Sequence, residues 1–167
     1  MSRLAALLIA VLALGTVAAH AADSALSAQA NADFLSANAG KPGVVVRPSG
    51  LQYKILRSGF GKRPGPFDSV TVYYKGTLIN GTVFDATEEG LPATFVVNQL
   101  IQGWTEALEL MREGDHWQLV IPTNLAYGAR GAGNGVIPPN QTLEFDMELV
   151  KVTPAPPPKP DDQNQSQ

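Results

Sequence analysis

Residues 143–149 alternate strictly between apolar and acidic side chains, and this alternation limits the folds available to the chain. The apolar set is Leu143, Phe145, Met147 and Leu149, and the acidic set between them is Glu144, Asp146 and Glu148. Successive side chains of a β-strand point to opposite faces, so the pattern predicts a strand with one face in the core and one in water. Strands of this kind are typical of antiparallel sheets.

Similar alternation occurs in several segments between residues 50 and 121, whereas one segment of this region has helical spacing. We expect strands at residues 50–57, 70–78, 82–85, 94–97 and 117–121. Asn80 and Gly81 are expected to supply the positive φ angles of a tight hairpin turn. Trp104, Ala107, Leu108 and Met111 recur at helical intervals up to Gly114. The patterns predict an α+β domain with a helix packed on one face of an antiparallel sheet.

The composition excludes several classes of site. The 167-residue chain has no cysteine, two histidines and a formal net charge of −3. Disulfides, thiolate sites and histidine-rich metal sites are therefore excluded, and we expect neither a metal nor a cofactor. The absence of a basic block argues against a nucleic-acid partner.

The ends of the chain differ in composition from its middle. Arg3, the apolar run at 4–14 and the Ala-His-Ala triplet at 19–21 predict a signal peptide at 1–21, with a buried N-terminal helix as the alternative. Without a cysteine after this site no lipid anchor can be attached. Residues 22–47 are predicted to be a short helical and linker segment, with its helix ending at Gly40 and Pro42. The folded domain then spans 48–153, and the Pro-rich, polar residues 154–167 form a disordered tail.

Aromatic side chains are the remaining candidates for chemistry, because the chain has no nucleophile elbow, phosphate-binding loop or H-E-x-x-H motif. His116 is expected to be a solvated residue on a strand. Aromatic residues recur along the short domain, and those singled out as candidates are Tyr73, Tyr74, Phe84, Phe95, Trp104, Tyr127 and Phe145. Any one of them could be an ordinary core residue. Together they suggest a concave apolar pocket with a few polar groups at its rim.

A set of ordered motifs makes the hypothesis more specific. The motifs are VYYKG at 72–76, NGTVFD at 80–85, QLIQGW at 99–104, AYG at 126–128, VIPPN at 136–140 and LEFDMEL at 143–149. In this order they resemble the FKBP-type peptidyl-prolyl cis-trans isomerase domain, over about 50–152. The preceding SGLQY at 49–53 resembles the bacterial exported branch, the macrophage infectivity potentiator group. The resemblance implies a strongly bent antiparallel sheet wrapped around one short helix, and isomerisation of X-Pro bonds.

The resemblance also implies roles for individual residues. Trp104 would be the floor on which a proline ring lies, and Tyr74, Phe84 and Phe145 would be the walls. The Tyr127 hydroxyl and the Ile101 backbone N–H would donate hydrogen bonds to ligand carbonyls. Asp85 would stand at the rim, and Leu100 and Ile137 would complete the binding surface. Many family members pair the position of Asp85 with an arginine where this chain has residues 88–90, Glu-Glu-Gly, so the orientation of Asp85 is left open.

The expected partners are proline-containing polypeptides and macrolide inhibitors of the FK506 and rapamycin type, without nucleic acid or a membrane anchor. We expect a periplasmic protein, with secretion as the second choice. Related exported members dimerise through a long N-terminal helical region, whereas residues 22–40 here are short and alanine-rich, which predicts a monomer. The alternatives are a non-catalytic polypeptide-binding chaperone and a module that recruits a partner through its Pro-rich tail.

Overall fold

The computed structural model describes residues 25–157. The helices in this range are α1 (Ala28–Ala39) and α2 (Gln102–Leu110). The strands are β1 (Val44–Val46), β2 (Gln52–Arg57), β3 (Ser69–Leu78), β4 (Val83–Ala86), β5 (Ala93–Val96), β6 (His116–Ile121) and β7 (Leu143–Thr153). The expected signal peptide and residues 158–167 of the expected tail lie outside the described residues. No helix within 25–157 has the length and apolar character needed to cross a membrane.

The strands form one antiparallel sheet in the order β1-β2-β6-β7-β3-β4, and β5 also pairs with β3. The alternation predicted for the last strand is confirmed, since Leu143, Phe145, Met147 and Leu149 are all at most 5% exposed. Asp146 on the opposite side is exposed and pairs with His116, with 2.6 Å between Oδ1 and Nε2. The predicted α+β class with an antiparallel sheet is thus confirmed.

Helix α2 supplies the other side of the core. Trp104, Ala107 and Leu108 are buried on its inner stripe and pack with the apolar faces of β3, β6 and β7. Gly103 permits this close packing, because a Cβ on that residue would collide with the Ile121 side chain. The helix therefore presents its first turn, and Trp104 with it, to the concave side of the sheet.

Helix α1 is held to the sheet mainly by buried amides. The side chain of Asn31 donates to Gln141 Oε1 at 3.1 Å and accepts from the Thr142 N–H at 2.7 Å. Asn38 donates to Gln52 Oε1 at 2.9 Å, and Gln52 donates in turn to the Leu35 carbonyl at 3.0 Å. Because these groups satisfy one another away from water, α1 packs as part of the domain.

The predicted β3–β4 turn is wrong in detail. Gly81 has φ of 85°, whereas Asn80 is not among the residues with positive φ in the described range. The Gly81 N–H donates to the Leu78 carbonyl at 2.8 Å, and the Leu78 N–H donates to the Thr82 carbonyl at 2.9 Å. This is a three-residue loop in which only the last residue is left-handed, so glycine is required at one position only.

Strand β1 was not predicted from the sequence. Its three valines pair with β2 in the register Val44↔Lys54 to Val46↔Gln52. Three consecutive valines carry no alternation, which explains why the segment gave no strand signal.

Candidate active site

Three aromatic rings surround Trp104 edge-on. The ring centroid of Trp104 lies 5.0 Å from that of Tyr74, 5.1 Å from that of Phe145 and 5.8 Å from that of Phe95. The interplanar angles are 82°, 81° and 85°, respectively. Edge-to-face packing places the positive ring edge against the negative face and is favourable beyond the area that it buries. We call these four side chains the aromatic cage.

The sheet register also brings Phe84 against Phe145, one of the rings of the aromatic cage. Gly76 on β3 lies opposite Phe145 on β7. A Cβ on Gly76 would stand 2.6 Å from Phe84 Cζ and 2.8 Å from Phe145 Cε1. Only glycine therefore lets these two rings meet, at 5.6 Å between centroids and 87° between planes.

A cavity of about 260 Å³ opens above the cage. It is lined by Tyr74, Phe84, Asp85, Phe95, Gln99, Leu100, Ile101, Trp104, Tyr127 and Phe145. All the residues expected from sequence line it except Ile137, which lies in the core at 6% exposure. Phe95 was among the aromatic residues that suggested a pocket but not among the site residues implied by the resemblance, and Gln99 was in neither set. Phe95 was detectable, because it is the aromatic residue at the centre of a predicted strand; Gln99 carried no such signal.

Asp85 is oriented by a tyrosine. The Tyr74 hydroxyl donates to Asp85 Oδ2 at 2.7 Å, and within residues 25–157 no cation lies at ion-pair distance from this carboxylate. The backbone of Tyr74 is fixed in turn by Thr87, whose N–H donates to the Tyr74 carbonyl at 3.0 Å and whose hydroxyl accepts from the Tyr74 N–H at 3.1 Å. A hydrogen bond from Tyr74 on β3 thus orients Asp85, which many family members instead pair with an arginine.

Burial raises the pKa of both tyrosine hydroxyls of the site. The pKa of Tyr74 is raised above its usual value, first by desolvation and then by the hydrogen bond and negative charge of Asp85. The pKa of Tyr127 is raised by desolvation and, to a lesser extent, by Asp85. Tyr127 is 40% exposed at the cavity mouth. Its neutral hydroxyl is available there as a donor.

One further donor faces no partner. Ile101 immediately precedes α2, and its carbonyl accepts from the N–H groups of Trp104 and Thr105. Its own N–H has no hydrogen-bond partner in the described part of the chain. The free N–H groups at the start of a helix are natural partners for a carbonyl oxygen.

Comparison with known proteins shows the family to which a chain with this site belongs. A family model described as FKBP-type peptidyl-prolyl cis-trans isomerase matches residues 61–150, which include every residue expected in the site. The chain belongs to the FKBP-type peptidyl-prolyl cis-trans isomerase family. A second model, described as the domain amino terminal to the FKBP-type isomerase, matches residues 9–55 and so covers α1 and β1.

Two curated FKBP relatives from bacteria are longer than this chain. The outer membrane protein MIP of Legionella longbeachae is 60% identical over 120 residues, which are 71% of this chain and 51% of that protein. A probable FKBP-type isomerase, FkpA, of Neisseria meningitidis is 49% identical over 134 residues, covering 80% of this chain and 49% of the relative. The chain thus spans about half the length of these relatives.

Solved FKBP-type structures share the fold. A peptidyl-prolyl cis-trans isomerase from Pseudomonas syringae has a TM-score of 0.71 at 38% identity, covering 79% of this chain and 96% of that one. FkpA from Escherichia coli has a TM-score of 0.74 at 40% identity, covering 84% of this chain and 64% of that one. The expected FKBP-like fold and the resemblance to the macrophage infectivity potentiator group are confirmed.

A second cavity on the opposite side of the FKBP sheet differs in chemistry. It measures about 180 Å³ and is lined partly by Lys41, Lys54, Glu144 and Asp146. Burial raises the pKa of Glu144, and Lys41 partly offsets this. No group of three or more potential metal-ligating side chains occurs within residues 25–157. The aromatic cage lies at the other cavity, which is therefore the candidate active site.

Proposed function

We propose that the chain is an active peptidyl-prolyl cis-trans isomerase that accelerates rotation about X-Pro bonds in exported polypeptides. The observation that carries this proposal is the aromatic cage around Trp104, with the Tyr74–Asp85 hydrogen bond at its rim. Trp104 serves as the floor for the proline ring, and Tyr74, Phe84 and Phe145 serve as walls. Phe95 joins them. Leu100 lines the cavity beside Ile101, and Ile137 supports the site from the core.

The cavity suits a reaction that needs no nucleophile. Rotation about a peptide bond is opposed by a barrier of about 18–20 kcal/mol, because the C–N bond has partial double-bond character. In the twisted transition state this conjugation is lost and the carbonyl becomes less polar. Water stabilises the planar, polar ground state better than an aromatic surface does. A dry apolar cavity therefore favours the twisted form selectively, which is the condition for catalysis.

The polar groups hold the substrate in register with the cage. The Tyr127 hydroxyl and the Ile101 N–H are available to donate to two substrate carbonyls. Asp85 presents a carboxylate that Tyr74 holds at the rim. Each 1.4 kcal/mol by which such contacts lower the barrier is worth about tenfold in rate.

An exchange assay tests the proposed activity. Two-dimensional NMR on an Ala-Xaa-Pro-Phe tetrapeptide should show cis-trans exchange accelerated by catalytic amounts of protein. A macrolide of the FK506 or rapamycin type should abolish the acceleration at stoichiometric concentration. A non-catalytic chaperone would suppress aggregation of an unfolded protein without speeding a proline-limited refolding phase. Normal binding with no acceleration of exchange would therefore favour that alternative.

Export and the limits of the domain complete the proposal. Residues 1–21 act as a cleaved signal peptide, and the mature protein resides in the periplasm, or is secreted as the second choice. The order of charge, apolar run and small residues supports this. Residues 48–153 form the isomerase domain, preceded by a short helical segment and followed by the Pro-rich, polar residues 154–167. N-terminal sequencing of the exported protein should begin at Ala22; a retained Met1 would contradict this.

A further inference from the structure

One strand beside the active site has a free edge. Strand β5 pairs with β3 in the register Ser69↔Val96 to Val72↔Ala93, and it has no second neighbour among residues 25–157. The Val97 N–H donates to the Asp68 carbonyl at 3.1 Å. Since hydrogen-bonded pairs alternate in an antiparallel ladder, Phe95 and Ala93 bond to β3, whereas Thr94 and Val96 direct their N–H and C=O groups away from it.

The side chains support this assignment. Residues of a non-hydrogen-bonded pair approach each other more closely, and the hydroxyls of Thr71 and Thr94 lie 3.0 Å apart. The outward N–H groups of Thr94 and Val96 and the C=O of Thr94 have no backbone partner in the described part of the chain, whereas the C=O of Val96 faces the 3-10 turn Val97–Gln99 that it begins. The edge therefore offers two donors and one acceptor to another strand.

A groove along this edge borders the active-site cavity. It measures about 280 Å³ and is lined by Ser69, Thr94, Phe95, Val96, Gln99 and Leu100. Phe95, Gln99 and Leu100 also line the active-site cavity. The groove and the cavity therefore adjoin each other at these three residues. None of the residues described as lining the groove carries a formal charge.

We propose that the free edge of β5 binds the residues that flank the proline of an extended, uncharged polypeptide substrate. The proline occupies the aromatic cage while the neighbouring residues add to the sheet as a strand. This rests on the proposed isomerase function and assigns its substrate class. Strand addition draws affinity from backbone hydrogen bonds, which suits an enzyme acting on many sequences. The uncharged lining disfavours acidic or basic residues at the docked positions, because they would be desolvated without a partner.

The chain's own tail fits this edge poorly. It leaves the sheet nearby, since Thr153 pairs with Ser69 and the Ala155 N–H donates to Asp68 Oδ1 at 2.8 Å. Residues 154–160 read Pro-Ala-Pro-Pro-Pro-Lys-Pro. Proline has no N–H to donate to a strand edge, so such a segment cannot form the ladder that Thr94 and Val96 offer.

The test compares a short and a long substrate on a variant of the edge. Thr94→Pro removes the outward N–H while leaving the bonds of Phe95 and Ala93 to β3 in place. Thr94→Val is the matched control, because it removes only the hydroxyl. Against a fourteen-residue peptide with uncharged residues on both sides of its proline, Thr94→Pro should lower kcat/KM roughly three- to tenfold. Against an Ala-Xaa-Pro-Phe tetrapeptide the rate should stay within about twofold, and Thr94→Val should change neither. Equal losses on both peptides, or on neither, would overturn the proposal.

Amide NMR on the unmodified chain gives an independent readout. Titration with the long peptide should shift the amides of Thr94 and Val96 and protect them from exchange, and titration with the tetrapeptide should not. Unchanged amides would overturn the proposal even if the enzyme is active. Conversely, an inactive protein whose Thr94 and Val96 amides still respond would refute the proposed isomerase function alone. In the absence of peptide, amide shifts of Thr94 and Val96 that change with protein concentration would show that a second copy of the chain occupies the edge. Amide shifts that change when residues 158–167 are removed would show that the tail occupies it. Either result would also overturn the proposal.

Discussion

At the scale of single residues, Trp104 organises the site because three other rings contact its edges and face. The residue is only 4% exposed although it lines the cavity. Its Nε1 is buried without a hydrogen-bond partner in the described part of the chain. A donor left unsatisfied in this way is a cost to stability.

Replacement of Trp104 should separate binding from stability. Trp104→Leu retains much of the apolar volume, so it should cost less than the ~3–5 kcal/mol typical of truncating a buried tryptophan to alanine. Macrolide affinity should fall at least ~tenfold, because the floor under the ligand is lost. The matched control is Trp117→Leu. Trp117 is also 4% exposed but stacks on Tyr53 at 4.4 Å between centroids, away from the cavity lining.

The control should lose stability and keep macrolide affinity within about twofold. Chemical denaturation and tryptophan fluorescence titration measure the two effects, and the fluorescence is best recorded in a Trp117→Phe background. Emission of Trp104 that does not change with macrolide, together with full affinity of Trp104→Leu, would show that the cavity is misplaced.

The Tyr74–Asp85 hydrogen bond should be visible as coupling between two substitutions. Asp85→Leu should lower kcat/KM at least ~tenfold, and Tyr74→Phe by less, because the ring is retained. The double variant should lose less than the product of the two, since both changes break the same 2.7 Å bond. Glu88→Gln, an exposed acid in the adjoining loop, serves as the control and should stay near the rate of the unmodified chain. Strictly multiplicative effects would mean that the bond has no role in the reaction.

At the scale of elements, the loops are tied to the sheet by carboxylates that accept backbone N–H groups. Glu113 accepts from the Val152 N–H at 2.6 Å, and Asp68 accepts from the Gly65 and Ala155 N–H groups, each at 2.8 Å. These bonds lower the pKa of both carboxyls, with the Val152 contact dominant for Glu113 and the Gly65 contact for Asp68. Glu144 on β7 shows the opposite shift, because burial raises its pKa.

The free energy of unfolding should therefore fall in acid. A carboxyl whose pKa is lower in the folded chain adds stability that is complete above its unfolded pKa, about 3.9 for Asp and 4.3 for Glu. This contribution is lost as the pH drops through the folded value. Urea denaturation between about pH 6 and 2 should show the decline, and Glu113→Gln should flatten it. Glu144→Gln should instead raise stability at neutral pH; a loss there would contradict the assigned direction.

The docking of α1 predicts a measurable loss when its buried amide is removed. Asn31→Ala leaves the Thr142 N–H and Gln141 Oε1 without their partner. An unsatisfied buried group costs about 1–3 kcal/mol, so the free energy of unfolding should fall by roughly 2–4 kcal/mol. Ser36→Ala, at an exposed position of the same helix, is the control. A change below about 0.5 kcal/mol for Asn31→Ala would show that α1 is not part of the cooperative unit.

What could be predicted from sequence follows from how each element is stabilised. Strands that bury one face, such as β3 and β7, require an apolar side chain at every second residue. Helix α2 requires a stripe of apolar side chains at helical spacing, so both patterns can be recognised in the sequence. Strand β1 and the amide contacts of Asn31 carry no such periodic mark. In the site, the motif residues were predictable by resemblance, but the groove beside Thr94 depends on which edge of β5 remains unpaired, and that is a property of the assembled sheet.

At the scale of the whole molecule, the N-terminal segment packs against its own domain. Asn31 and Asn38 of α1 are both buried by residues of the same chain. Because two polar side chains of α1 already form hydrogen bonds within the chain and its apolar stripe is weak, the helix offers little surface on which a second chain could pack. We therefore expect the mature protein to be a monomer.

Light scattering coupled to size exclusion should give the mass of one chain, below the 17.7 kDa of the full sequence once a signal peptide is removed. The mass should not change over a tenfold range of protein concentration. A concentration-independent mass of twice this value would contradict the monomer.

The position of β7 has a consequence for how the chain acquires its structure. This strand is the last among residues 25–157, yet it lies between β6 and β3, and it pairs with β3 from Leu143 to Thr153 and with β6 from Leu143 to Glu148. The two halves of the sheet are therefore separate until residues 143–153 are present, and the Asn31–Gln141 bond closes a loop of 110 residues. Pairing across such long separations makes folding slow. A chain synthesised from its N-terminus thus cannot assemble this sheet until residues 143–153 have been made, and up to that point it lacks the core that the sheet encloses.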